Sequence, residues 1–491
     1  MKQYEVYIAG AFVKPQAGQW FDTINPYTGE VWAQIARCNA ADVDAAVKAA
    51  RAAFRGEWGR MKPSQRGRLL YKLADLVEQN FETLARTETR DNGKVFGDNC
   101  MQIRFMAEFY RYYGGLADKI EGSVIPVSTP NVFNFTRYEP LGVVALITPW
   151  NSPLAILSGK LATALAAGNT VVIKPSEFTS ASTLEFMALV EQAGFPPGVV
   201  NVVTGFGNEA GAALVSHPDV AKVSFTGSGT GGRQIYETLA HDFKSAVLEL
   251  GGKSPNIVFE DADLDAAAPQ VAGGIFGSTG QSCISGSRLL VQRSVHDALV
   301  EKVAAAARRI RIGDPMEQGT NIGPIATPPQ FRKIMDYIEA GRREGATCVL
   351  GGGRYTGPGA RGEQMVEPTI FTNVRNSMRI AQEEIFGPVL AVIPFDTEEE
   401  ALAIANDIPF GLAAGIWTRD IVRGLRVAEQ VQAGVVWINT YRSMNYASPS
   451  GGYKHSGVGR ENGVEAVKEY LQVKSVWLST PPSAAPDPAK R

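Results

Sequence analysis

Hydrophobic and polar positions along this chain follow a helical period first and a strand period later. From Ala40, "AADVDAAVKAARAAF" places small apolar residues on one helical face, and a longer helix is predicted from about Ser64 to Asp91, stopped at Asn92 and Gly93. From residue 141 the pattern shortens to β-rich runs, "VVALIT", "TVVIK", "GVVNVVT" and "KVSFT". Segments of helical length beginning near Pro153, Thr179, Glu209 and Gly229 separate them. Strand and helix in alternation predict a parallel, doubly wound sheet. A second alternating set follows Gly251, with the helix "VHDALVEKVAAAARRI" and the strands "VLAVIPF" and "GVVWIN", and predicts a second α/β domain over roughly 252–450. The stretches "GSVIPVSTPNVFNFTRYEP" at 122–140 and "YLQVKSVWL" at 470–478 are extended and amphipathic with no helix to cover them, so they are expected to pair with each other or with another subunit. The tail "PPSAAPDPAKR" at 481–491 is too rich in Pro and Ala to pack and is expected to be disordered.

Composition narrows the function. With 491 residues, 45% hydrophobic and 20% charged, the chain can bury a large core divided into two or three domains. A net charge of −2, with basic residues dispersed among acids, gives no footprint for nucleic acid or an anionic membrane. The N-terminus "MKQYEVYIAGAF" lacks a signal-peptide core and no apolar run is long enough to span a bilayer, so a cytoplasmic location is expected. Four scattered cysteines, no CxxC pair and four histidines argue against disulfides and a metal site. A special cysteine must then be special through reactivity.

Cys283 lies in "STGQSCISGSR", where small neighbours leave room for a substrate and for a free backbone amide at the nucleophile. A free thiol is only a few per cent thiolate at neutral pH, so activation calls for a positive or dipolar environment such as a helix end or a cofactor cation. Glu249, in "VLELGGKSP", is a carboxylate at the end of an apolar strand followed by two glycines, and either faces a cavity or is an ion-paired strand-end carboxylate. Asn151, in "ITPWNSP", either caps the helix starting at Pro153 or donates to a developing oxyanion. The turn "GSGTGG" at 227–232 satisfies GxGxxG between strand and helix, and "GFGNEA" at 205–210 the relaxed form; each also serves as a plain tight turn. Lys174, followed by Pro175 and Glu177, ends the strand "TVVIK" where open α/β sheets bind ligands.

Together these segments resemble the aldehyde dehydrogenase superfamily over roughly residues 5–478, through "PWN" at 149–151, "KPSE" at 174–177, "FTGS" at 225–228, "ELGGKSP" at 249–255, "GQSC" at 280–283, "EEIFGPV" at 383–389 and "GGYKHSGVGRE" at 451–461. The resemblance implies an α/β fold with a Rossmann-type cofactor domain (1–121 and 141–251), an α/β catalytic domain (252–452) and a small β oligomerisation extension (122–140 and 453–480), assembling as a homodimer or homotetramer. It makes Cys283 the nucleophile, with the Asn151 amide and the Cys283 N–H holding the oxyanion and Glu249 activating the hydrolytic water. Lys174 and Glu177 resemble adenosine-ribose ligands, Gly227 and Ser228 pyrophosphate ligands, and Glu384 with Phe386 the nicotinamide-ribose clamp, while Trp150 matches a residue lining the cofactor cleft. Glu177 favours NAD, and Lys174 leaves NADP as a second acceptor. No metal is implied.

Departures from the family pattern bear on substrate. Family members acting on small aldehydes often carry aromatic rings where this chain has Ser152, Gly159 and Ser450. Their loss implies a wider, more polar tunnel suited to a bulky, oxygenated, cyclic or aromatic aldehyde, provided neighbouring loops do not fill it. Arg442, in "NTYRSMNYASPS", either pairs with a substrate carboxylate, as in a semialdehyde, or faces solvent. Glu249 argues against a CoA-acylating relative. A non-catalytic, crystallin-like binding protein is the rival of another class, and a thiol esterase is expected only as a side activity.

Overall fold

A computed structural model describes residues 1–480 and Ala489; apart from that residue, the tail expected to be disordered lies outside the described residues. The strands Val143–Ile147 and Thr170–Lys174 are buried along their whole length, as uninterrupted aliphatic runs require when both faces of a sheet are covered. They pair in parallel from Val143 opposite Thr170 to Ile147 opposite Lys174. In space the parallel strands run Ser245–Glu249, Val220–Thr226, Val143–Ile147, Thr170–Lys174, Val200–Val202. Chain order therefore reverses between Val143–Ile147 and Val220–Thr226, and ligands of open α/β sheets lie outside the strand ends at such a switch point. Antiparallel strands border the set: Gly457–Val458 beside Ser245–Glu249, and the hairpin of Val6–Ile8 and Ala11–Val13 beyond Val200–Val202.

The second set of alternating segments forms its own sheet, ordered Thr347–Leu350, Thr369–Thr372, Val389–Phe395, Arg288–Gln292, Pro255–Val258, Ala413–Trp417, Val435–Ile438. Its pairings are parallel except at Thr347–Leu350. The two uncovered segments pair with each other: Leu471–Ser479 lies antiparallel to Val132–Pro140, with Val124–Ile125 outside it. The preceding stretch does not join this ribbon. Tyr453–Lys454 pairs with Phe410–Gly411, and Gly457–Val458 returns to Glu249. Residues 453–458, grouped above with the extension, thus brace the two larger units.

The helix predicted from Ser64 spans Pro63–Asn92 and ends on Gly93 in the left-handed conformation. A helix the pattern did not isolate, Phe96–Leu116, packs along it; apolar and polar residues mix around its circumference, so no single stripe marks it. No helix of the described residues is long and apolar enough to cross a membrane.

Asn169 ties the start of the first sheet to the ribbon. Fully buried, it accepts from the Gly142 N–H at 3.0 Å and donates to the Tyr470 carbonyl at 2.9 Å. Asn169→Ala strands a buried donor and a buried acceptor at roughly 1–3 kcal/mol each. The expected outcome is a drop of about 2–6 kcal/mol in unfolding free energy, read as a lowered denaturant midpoint; an unchanged midpoint would show that neither group depends on Asn169.

Candidate active site

The Val143–Ile147 strand delivers Trp150, Asn151 and Ser152 to the switch point, just ahead of the helix Pro153–Ala167. Asn151 is not that helix's cap: Ser152 occupies the cap position, and its side chain makes no capping hydrogen bond. Instead Asn151 is buried, and its Nδ2 donates to the Gln281 carbonyl at 2.9 Å. Its own carbonyl accepts from Asn92 Nδ2 at 3.4 Å.

Cys283 is presented by a constrained turn. The helix Leu264–Phe276 runs into Ser278, Thr279 and Gly280, all left-handed at φ 55°, 56° and 68°. Such a conformation costs of order 1–3 kcal/mol at a non-glycine residue and persists only when surroundings impose it. Here Thr279 Oγ1 donates to the Gly323 carbonyl at 3.3 Å, and Gln281 Oε1 accepts from the Ala326 N–H at 2.9 Å. Gly280 is required twice over, since a Cβ there would also sit 2.2 Å from the Gly387 carbonyl carbon. On the far side, the Tyr441 hydroxyl donates to the Ile284 carbonyl at 3.0 Å, with its ring lodged against Gly274 and Gly286. Among the described residues, the Cys283 N–H has no acceptor, and Asn151 commits one of its two amide hydrogens. The Cys283 N–H and the second Asn151 amide hydrogen are thus both unengaged.

The electrostatics correct one expectation. The helix before Cys283 points its carboxyl-terminal end at the turn, which gives no positive dipole. Cys283 and Glu249 are both half-buried. Burial, then the neighbouring Glu249 and Glu384, push the thiol up to about 12, against the opposing pull of Arg442. Burial, then Glu461, push Glu249 up to about 8, opposed by Lys160 and Arg460. Glu249 Oε1 is buried without a hydrogen-bond partner. Neither Glu461, inside the "GGYKHSGVGRE" motif, nor Lys160 carries a functional signal of its own in the local sequence, apart from the oddity of a lysine inside the apolar run of Pro153–Ala167. Lys160, fully buried, pairs with Glu461 and donates to Ser224 Oγ at 2.9 Å.

Lys174 and Glu177 come together at the end of the Thr170–Lys174 strand. The buried Lys174 Nζ donates to the Pro175 carbonyl at 3.1 Å and lies 3.9 Å from Glu177. Burial lowers its pKa. Ser228 caps the helix Gly229–Ala240, its Oγ accepting from the Gly231 N–H at 3.1 Å; Gly227 precedes it, and the space beside Gly229 is open. Trp150 and Phe386 meet edge to face, ring centres 5.2 Å apart, with Phe386 left-handed at φ 60°. Glu384 folds toward Cys283 rather than outward. It accepts from the Gly252 N–H at 3.0 Å, and burial raises its pKa.

Of the candidate substrate residues, Gly159 does not open the tunnel. A Cβ there would meet Asn462 Oδ1 at 3.1 Å and Phe109 at 3.5 Å, so neighbours occupy the space a ring would leave. Asn462 also donates to Ser450 Oγ at 3.1 Å. Ser152 Oγ accepts from Lys94, a buried lysine the sequence reading passed over. Arg442 is half-buried, not solvent-facing, and donates weakly to the Gly277 carbonyl at 3.5 Å.

Compared with known proteins, the chain matches the aldehyde dehydrogenase family over residues 12–476. It is 47% identical over 474 residues to an aldehyde dehydrogenase of Davidiella tassiana, covering 96% of this chain and 95% of that protein. It is 45% identical over 491 residues, 99% of each, to the (Z)-2-((N-methylformamido)methylene)-5-hydroxybutyrolactone dehydrogenase of Acinetobacter baylyi. The NAD+ complex of an aldehyde dehydrogenase from Bacillus cereus shares its fold at a TM-score of 0.95 and 46% identity, covering 97% of each chain.

A thiol held near 12 is almost wholly protonated at neutral pH. Alkylation of Cys283 by iodoacetamide in the cofactor-free protein should therefore rise with pH without levelling off below pH 10. A plateau near pH 8 would instead mean that the thiol is lowered.

Proposed function

This chain belongs to the aldehyde dehydrogenase family, and from that premise we propose that it oxidises a polar, oxygenated aldehyde to a carboxylic acid with NAD, through a covalent intermediate on Cys283. The observation that carries this reading is the convergence at one thiol of two unengaged N–H donors and a carboxyl with an unpartnered oxygen.

The cleft fits a dinucleotide. Lys174 offers a buried ammonium beside a half-buried carboxylate, and the helix Gly229–Ala240 offers an open N-terminus for a pyrophosphate. Lys174 and Glu177 would hold the adenosine ribose, Gly227 and Ser228 the pyrophosphate, Glu384 and Phe386 the nicotinamide ribose, and Trp150 the wall of the cleft. Glu177 favours a 2′-hydroxyl over a 2′-phosphate, with NADP as the weaker acceptor. The Bacillus cereus complex supports NAD. When bound, the cofactor supplies the hydride acceptor.

The residues of the chain do the rest. Once its S–H proton has passed to solvent, Cys283 Sγ attacks the carbonyl carbon, and the thiohemiacetal oxyanion is held by the Asn151 amide and the Cys283 N–H. Oxidation leaves a thioester. Glu249 takes a proton from the attacking water, and the acid departs as the thiol is restored. Glu249 is a base only when deprotonated, and its elevation to about 8 moves that condition up from the usual carboxylate range.

The polar wall of Ser152, Ser450 and Asn462 supports an oxygenated substrate over an aliphatic one. So does the likeness to the hydroxybutyrolactone dehydrogenase. Assembly as a homodimer or homotetramer is supported by the ribbon, which leaves Val124, Phe133, Val473, Trp477 and Leu478 exposed.

Three variants test the mechanism. Cys283→Ala should abolish NADH formation while leaving NAD binding by calorimetry nearly unchanged; loss of both would place the cysteine's role in folding. Asn151→Ala should lower kcat by ~10²–10³-fold. In wild type the deacylation rate, measured in single turnover, should fall as pH drops through about 8, because Glu249 then gains a proton, and Glu249→Gln should remove that limb together with most of the rate. A limb unchanged in Glu249→Gln would assign the base elsewhere.

A further inference from the structure

Lys94 and Arg442 come from different parts of the chain and lie near enough for Arg442 to act electrostatically on Lys94. Lys94 follows the left-handed Gly93 that ends the helix Pro63–Asn92, and is 5% exposed. Its ammonium donates to Ser152 Oγ, and to Gln102 Oε1 at 2.9 Å, which leaves a third N–H free. Ser152 directly follows Asn151, whose amide is bound two residues from the nucleophile.

Arg442 follows Tyr441, whose hydroxyl holds the Ile284 carbonyl beside Cys283. Its backbone is left-handed at φ 62°, an unfavourable conformation for arginine. Its one hydrogen bond, to the Gly277 carbonyl, is long at 3.5 Å. Arg442 is close enough to act electrostatically on Cys283, Lys94 and Asp98.

Two acids lie nearby without neutralising these cations by contact. Glu88 accepts from the Leu154 N–H at 3.4 Å and Ser182 Oγ at 3.3 Å, and Glu88 and Asp98 both favour the charged form of Lys94 from a distance. Among the described residues, no carboxylate lies within the 4.0 Å ion-pair distance of Lys94 or Arg442. Two cations with spare donors, one of them fully enclosed, present a site that a carboxylate can complete.

We infer that Lys94 and Arg442 form a subsite for a substrate carboxylate, so that the aldehyde oxidised is a short oxo acid. This rests on the proposed aldehyde oxidation at Cys283. It also unites the cyclic and semialdehyde readings, because a 4-oxo acid isomerises to a 5-hydroxy-γ-lactone when its carboxyl O–H adds across the aldehyde C=O, with no atoms gained or lost. An oxygenated ring and a semialdehyde are then two forms of one compound class. The open form presents the aldehyde to Cys283 and the carboxylate to the cations.

The test compares 4-oxobutanoate with its neutral methyl ester in wild type, Arg442→Gln, Arg442→Lys and Lys94→Met, alongside calorimetric binding of succinate to the cofactor-free protein. Wild type should prefer the carboxylate by at least about tenfold in kcat/KM, mainly through KM. Arg442→Gln and Lys94→Met should each cut that preference severalfold, Arg442→Lys should restore part of it, and succinate should bind wild type more tightly than either neutral variant. Equal or better use of the ester by wild type, without succinate binding, would overturn the subsite while leaving aldehyde oxidation standing. Succinate binding that is lost in both neutral variants, without NADH from any aldehyde, would support the subsite and overturn the oxidation reading instead.

Discussion

The hydrogen bond from Asn151 Nδ2 to the Gln281 carbonyl joins the two halves of the reaction site. Asn151 stands at the end of a first-sheet strand, whereas Gln281 belongs to the turn that leads into the second sheet. Each anchor is held from behind: Asn151 through Asn92, and Gln281 through the Ala326 N–H. The bond thus ties the Asn151 amide to the turn that carries Cys283, the proposed oxyanion donor to the proposed nucleophile. It also explains why the strained conformations of Ser278 and Thr279 can persist, since both ends of that turn are tethered.

Loss of solvation decides the charge states within this frame. Cys283 and Glu249 are both pushed toward their neutral forms, and each would raise the other if both ionised. A thiol in that condition is inert until a positive charge or a proton acceptor arrives. The ion pair of Lys160 and Glu461, linked to Ser224, lies deeper and carries charge up to the region of Glu249. A buried pair of this kind adds little stability by itself, but breaking one side would leave an uncompensated charge beneath the base.

Much of the fold was legible because its signals were local. Alternating strands and helices after residue 141 gave the parallel sheets, and Gly93 marked a helix end that the backbone confirms by turning left-handed. The pairing of the two uncovered segments was legible as an option because each lacked a covering helix. The helix Phe96–Leu116 was not, because aromatics and polar residues surround it without a stripe. In the site, Cys283, Glu249 and Asn151 stood out through unusual neighbours in the sequence. Lys94, Asn462 and Tyr441 did not, because their significance lies in contacts with Ser152, Ser450 and Ile284, far away along the chain.

The substrate wall shows the same limit from the opposite direction. Counting absent rings at Ser152, Gly159 and Ser450 treats each position as a vacancy, but dense packing does not preserve vacancies. Phe109 and Asn462 close over Gly159, Asn462 engages Ser450, and Lys94 engages Ser152. What changes is therefore the chemistry of the wall more than its width. Apolar rings would tolerate any aldehyde of suitable girth, whereas hydroxyls, an amide and two cations penalise a substrate that leaves them unpaired. On the proposed reading, selectivity would come from the polar partners a substrate must supply, favouring a small oxygen-rich compound over a large apolar one.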